Sequence, residues 1–243
     1  VRKDPFENLM ALRSTAPGGS SYGCHRRPEQ GSGEGSGRQG MAQGVLGTGI
    51  SALEGRQDLS DLAAHLDEIE RHGVDTIELP TYDMDLVVGG RIRRDQVARL
   101  KGITAGRGVR YTVHGPLAVN FFDDSWRIAR HMEVLKASIE VAAELGAIHY
   151  VMHAGFRPVT QHDGIEDAYA RQRDWLSRSG DVARQHGLCL CVENLFAGYE
   201  GDEHTPTPSR LARELGAIDH PNVAATLDFS HGYINLSFHG GDL

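Results

Sequence analysis

Five ionisable side chains stand at the ends of successive apolar runs: Glu78, His114, His153, Glu193 and Asp228, spaced 36, 39, 40 and 35 residues apart. Carboxylates and imidazoles are costly beside a packed interior unless something compensates them. Gathered at one point, such nitrogen and oxygen donors suit Zn²⁺, Mn²⁺, Co²⁺ or Mg²⁺. Two acids at that point would repel each other unless a cation lies between them. Taken singly, each residue has a plainer explanation as a satisfied polar group or a helix cap. Their common position at strand ends is what points to a metal site.

The intervals match one strand and one helix each, and the elements between them read accordingly. Residues 44–50, "GVLGTGI", form a first strand, and "LSDLAAHLDEIERHG" a helix with Leu59, Leu62, Leu66 and Ile69 at helical spacing, closed by Gly73. "VDTIELP", "VRYTVHGP", "AIHYVMHAG", "LCLCVENL" and "NVAATLDFSHG" read as strands two to six. Helices lie between them, one of them capped by Ser125 with Ile128, Met132, Leu135 and Ile139 on one face. Strands separated by helices imply parallel pairing through right-handed crossovers, hence an α/β protein.

Alternation along each strand sharpens the placement. If Glu193 points inward, Cys191 and Cys189 share its face, and the same parity puts Thr226 below Asp228, Val151 below His153, Thr112 below His114 and Thr76 below Glu78. A packed layer beneath a polar ring is how a (β/α) barrel presents an active site at the carboxyl ends of its strands.

The rest of the sequence sets bounds. Its 243 residues, 40% hydrophobic and 24% charged, suit an ordinary globular chain with a large core. Residues 1–40 are rich in Gly and Ser and read as a disordered tail or extension, with the barrel spanning 41–243. That tail carries 6 − 4 = +2, so of the chain's net −8 the body carries −8 − 2 = −10, which disfavours a nucleic-acid partner. Arg91, Arg93 and Arg94, the one tight basic cluster, read as a solvated helix start. The three cysteines read as small buried hydrophobes. No apolar run of about 18 residues marks a membrane span, and the N-terminus lacks a secretory core, so the cytoplasm is the expected compartment.

"VHGPLAVNFF", "VMHAG", "LCVENL" and "TLDFSHGY", in this order, resemble the xylose isomerase-like TIM-barrel superfamily, which holds sugar and sugar-phosphate isomerases and epimerases together with type IV apurinic endonucleases. The resemblance implies a (β/α)8 barrel from about Met41 onward. It implies Glu193 and Asp228 as metal ligands, with His153 and His114 joining them in the endonuclease branch, where His231 is also a ligand. In the epimerase branch it implies Glu193 as the proton-transferring base and His231 as a substrate contact; Glu78 and Asn194 are read as further substrate-binding residues. The family completes its site from strands seven and eight. Only six units are visible here, so the reading is of a barrel cut short after strand six.

Two activities follow as expectations. The first is a divalent-metal-dependent isomerase or epimerase that moves a proton beside the carbonyl of a small sugar or sugar phosphate. The second is zinc-dependent cleavage of a phosphodiester at an abasic DNA site; a third possibility is an inactive fragment. Missing strands would leave sheet edges open to self-association, so a homo-oligomer is possible. The loop "FAGYEGDEHTPTPS" suits a lid or a plain solvated connection, and His204 within it has no assigned role.

Overall fold

The computed structural model describes residues 9–12, 47–52, 55–158, 164–196 and 203–239. In chain order the elements are β1 (Leu9–Leu12), β2 (Gly47–Ser51), α1 (Leu62–Arg71), β3 (Thr76–Pro80), β4 (Val87–Val88), β5 (Arg91–Ile92) and α2 (Arg94–Thr104). They continue with β6 (Arg110–His114), α3 (Ser125–Glu144), β7 (His149–His153), β8 (Arg157–Pro158), α4 (Ile165–Gln185) and β9 (Cys189–Glu193). The last are β10 (Glu203–His204), α5 (Pro208–Ile218), β11 (Val223–Thr226) and α6 (Phe229–His239). The main sheet runs β1-β2-β3-β6-β7-β9-β11. Its last six strands pair in parallel, so helices alternate with strands in a half-barrel of six strands and six helices, as the sequence pattern requires.

Alternating side chains separate two apolar regions. Ile77, Leu79, Val113, Tyr150, Met152, Leu190 and Val192 face the helices and join Leu66, Leu100, Leu135, Ile139 and Leu176 in the principal core. Each such leucine contributes about 2 kcal/mol by leaving water. On the other face a small separate cluster of Val151, Cys189, Cys191 and Ala224 lies below the polar strand ends. Burial pushes the free Cys191 thiol up to about 12.

Four local features differ from the sequence reading. Strand six stops at Thr226, and Phe229 opens a helix, because Asp228 caps it: Asp228 Oδ1 accepts the His231 N–H at 2.9 Å. The cap of α3 is Asp124, with Ser125 already inside the helix. A short hairpin, β4–β5, stands between β3 and α2. Within the segment read as structureless, β1 pairs antiparallel with β2, Leu9 opposite Ile50; the edge of a sheet offers unpaired backbone groups that a short run can satisfy. Of the loop read as a lid, residues 197–202 lie outside the described residues.

The basic cluster is ion-paired as a helix start would be, Arg94 with Glu140 and Glu144 and Arg93 with Asp95. Among the described residues, no helix is long and apolar enough to cross a membrane.

Candidate metal centre at the strand ends

The strand register sets the level of each candidate side chain. Glu78 lies opposite Thr112, His114 opposite Val151, His153 opposite Glu193, and Glu193 opposite Thr226. The five residues therefore do not share one rung, as equal spacing suggested; they climb in steps of two or none. Strand tilt explains the climb. With strands about 4.8 Å apart and tilted about 36° to a barrel axis, a level ring advances by roughly one residue per strand. Every step between paired strands is even, so parity keeps Glu78, His114, His153 and Glu193 on one face, and Asp228 follows two residues beyond the last pair, Thr226 with Glu193.

Glu193 is the hub. It is 4% exposed, and each of its oxygens faces a different imidazole: Oε2 is 3.2 Å from His114 Nε2, and Oε1 is 3.3 Å from His231 Nδ1. Burial alone would raise its pKa, but the hydrogen bonds from His114 and His231 hold the carboxyl far below the usual range. It stays an anion. His114 is buried too, which opposes its charge, yet the bond to Glu193 and the nearby Glu78 carboxylate raise its pKa. Its Nδ1 lies 3.1 Å from Gly115 O, so in the neutral tautomer that nitrogen keeps the proton and Nε2 offers its lone pair.

His153 stands edge-on to both neighbouring imidazoles, with ring centroids 4.9 Å from His114 and 5.8 Å from His231. Burial and the charge of His114 push it down to about 4, so it is neutral and ready to ligate. His231 donates from Nδ1 to Asn194 O at 2.8 Å, leaving Nε2 free of a proton in the neutral form. Asp228 Oδ2 lies 3.5 Å from His231 Nδ1, while Oδ1 serves the helix cap.

Two ligand groups emerge, His114–His153–Glu193 and Glu193–Asp228–His231, and within each group the ligating atoms all lie within 4.8 Å of one another. This donor set fits a divalent ion. One more carboxylate borders it. Glu78 is 8% exposed, its Oε2 has no hydrogen-bond partner among the described residues, and burial raises its pKa despite the pull of His114.

Asn194, expected as a substrate contact, spends its side chain on Asp228. It is 0% exposed, its Nδ2 donates to Asp228 O and its Oδ1 accepts from Asp228 N, both at 2.8 Å. Both ends of the amide are thus spent on aiming Asp228. Replacement by alanine should cost about 1–3 kcal/mol in urea unfolding, because two backbone groups lose their partners, and should weaken metal binding about 10–100-fold. Wild-type values for both would show that the clamp is idle.

Sequence reasoning missed Tyr82, whose ring meets His114 edge-on at 5.3 Å, and Phe196, 5.2 Å from His231. Both sit just past strand ends, where no periodicity marks them. They wall the centre on two sides.

Fold and centre together define an α/β barrel protein whose polar site is built at the carboxyl ends of its strands. Residues 66–240 match the family model described as xylose isomerase-like TIM barrel, and the chain belongs to that family. A D-psicose 3-epimerase from Clostridium cellulolyticum H10 shares its fold at 16% identity and TM-score 0.61, over 80% of this chain and 66% of that one. A D-allulose 3-epimerase from Methylomonas sp. in complex with D-allulose gives 21% and 0.61, over 77% and 64%. A 3-keto-D-glucoside 4-epimerase from E. coli gives 18% and 0.57, over 72% and 66%. The chain thus spans just under two thirds of these structures. A search of curated protein sequences gave no match.

Proposed function

We propose that this protein is a divalent-metal-dependent sugar isomerase or epimerase that moves a proton beside a substrate carbonyl. The observation that carries the reading is the convergence of Glu193, Asp228 and three histidines at the strand ends. The fold likeness to sugar epimerases supports it. Glu193, Asp228, His153 and His114 would hold the ion. A bound ion would supply charge stabilisation for the oxyanion that proton removal creates. Glu193, an anion in this setting, takes and returns the carbon-bound proton. His231 and Glu78 orient substrate hydroxyls, and Tyr82 and Phe196 shield the site from water. The substrate is a small sugar or its phosphate.

One observation favours a second reading. Glu193 is shared by both ligand groups, one oxygen toward each, which suits two ions and zinc-dependent hydrolysis at an abasic DNA site. Ketoses and abasic duplex should be assayed side by side in D₂O. Epimerisation by proton transfer brings solvent deuterium into the sugar, and that is the expected result. Strand cleavage without any labelled sugar would replace this proposal by the hydrolase.

Metal binding has a pH signature. Without metal, the raised pKa of His114 keeps a proton on the Nε2 that faces Glu193, so an ion taking that nitrogen must displace it. Affinity for Mn²⁺ should therefore rise with pH through and beyond about 6.5. Calorimetry at pH 6 in buffers of different ionisation enthalpy should report proton release; a value of zero would contradict the pairing.

A further inference from the structure

His204, which has no part in the proposed chemistry, sits where the loops that follow the site meet. β8 and β10 pair antiparallel, with His204 opposite Arg157. These segments follow β7 and β9, the strands that end in His153 and Glu193. Thr205 Oγ1 donates to Gly155 O at 2.8 Å, and Asn120, beyond β6, donates from Nδ2 to Phe156 O at 2.7 Å. Gln172 of α4 donates to Ala154 O. The three loops that follow His114, His153 and Glu193 are therefore laced together. His204 fastens the lacing to α4: its Nε2 is 2.8 Å from Tyr169 Oη, and its ring stands edge-on to Tyr169 and Phe122, at 5.8 and 6.5 Å.

We propose that His204 is a positioning residue, a clasp that holds the β8–β10 strap and the loops behind the ligand-bearing strands against α4, and that protonation of His204 releases the strap. The purpose of the clasp rests on the metal-centre reading; the clasp itself does not.

The surroundings of the ring explain why protonation would open it. Arg157 on β8 and Arg210 on α5 both face His204 with positive charge. Arg210 lies 3.7 Å over the Tyr169 ring and is already paired with Glu166 of α4 and Glu214 of α5, and Glu214 also binds Arg173. Burial pushes Tyr169 up to about 12, so it is a neutral phenol and offers no counter-charge. Among the described residues, Glu166 and Glu214 are thus already engaged, and an imidazolium here would add a positive charge beside Arg157 and Arg210. Burial and the two arginines accordingly lower the His204 pKa. The open strap binds the proton better than the closed one, so the clasp has its full strength above about pH 6.5 and weakens as pH falls below that value.

Hydrogen-exchange protection factors, which remove the intrinsic pH dependence of exchange, test this on the whole chain without metal between pH 7.5 and 5.5. In the wild type, the Arg157 and His204 amides should lose protection over that range, by up to about 10-fold, while β6 and β9 hold theirs, the signature of local opening. His204→Gln, which reaches Tyr169 but does not titrate, should give a flat profile. Tyr169→Phe, which keeps the ring and drops the hydroxyl, should leave the strap weakly protected at every pH. A flat wild-type profile, or a wild-type slope in His204→Gln, would overturn the clasp. Mn²⁺ affinity measured on the same samples separates the two ideas: absent binding with the strap behaviour intact would fault the metal centre alone.

Discussion

Glu193→Gln is expected to lower Mn²⁺ affinity by at least about 100-fold and to abolish proton transfer to the substrate. Glutamine keeps the shape but takes away a ligand charge, and loss of a supporting contact alone already costs metal sites about 10–100-fold. The change also reaches stability. His114 and His231 have raised pKa values, with burial opposing and the Glu193 bonds prevailing, so their contribution is complete below about pH 6.5 and fades as pH rises through their folded values. Glu193 itself is lowered, so its contribution is present above about pH 4.5 and fades only in strong acid. The deficit of the variant should peak between those limits, at on the order of 3 kcal/mol for a broken buried pair, and shrink toward pH 8. Chemical unfolding across pH measures it. A deficit that grows with pH would mean that the carboxylate and the imidazoles are not partners.

Gly115→Ala should be the most damaging change outside the ligands. A Cβ there would lie 2.0 Å from Tyr150 Oη and 2.4 Å from Cζ, and Tyr150, on β7, is fully buried. The ring cannot swing away, so β6 must shift just where it carries His114. Overpacking of this kind costs about 3 kcal/mol, which lowers the Tm by on the order of 10 °C in a chain of this size. Tyr150→Leu removes the two offending atoms, so the double variant should be more stable than the two separate losses would sum to. Simple additivity would show that the clash is relieved elsewhere.

How far this was legible in the sequence depended on distance along the chain. The alternation of apolar runs and helices gave the parallel strands, and parity put Glu78, His114, His153 and Glu193 on one face, because both follow from periods of two and 3.6. The climb between neighbouring strands was invisible, since it comes from the tilt of the sheet and not from any residue. Asp228 was placed at a strand end although it caps a helix; the apolar run Val223–Leu227 masks the point where pairing stops at Thr226. Asn194, just past Glu193, reads as a substrate contact, whereas its grip on Asp228 spans 34 residues and two elements. His204 could be seen but not explained, because Tyr169 and Phe122 reach it only in the fold.

The most direct test is a crystal of the protein grown with Mn²⁺ and measured at a wavelength where manganese scatters anomalously. A peak bonded to Glu193 and Asp228 at about 2.0–2.3 Å, with at least one of His114, His153 and His231 completing the shell, is the predicted result. An ordered site with Glu193 still paired to His114 and His231 and no ion beside it at saturating Mn²⁺ would contradict the account.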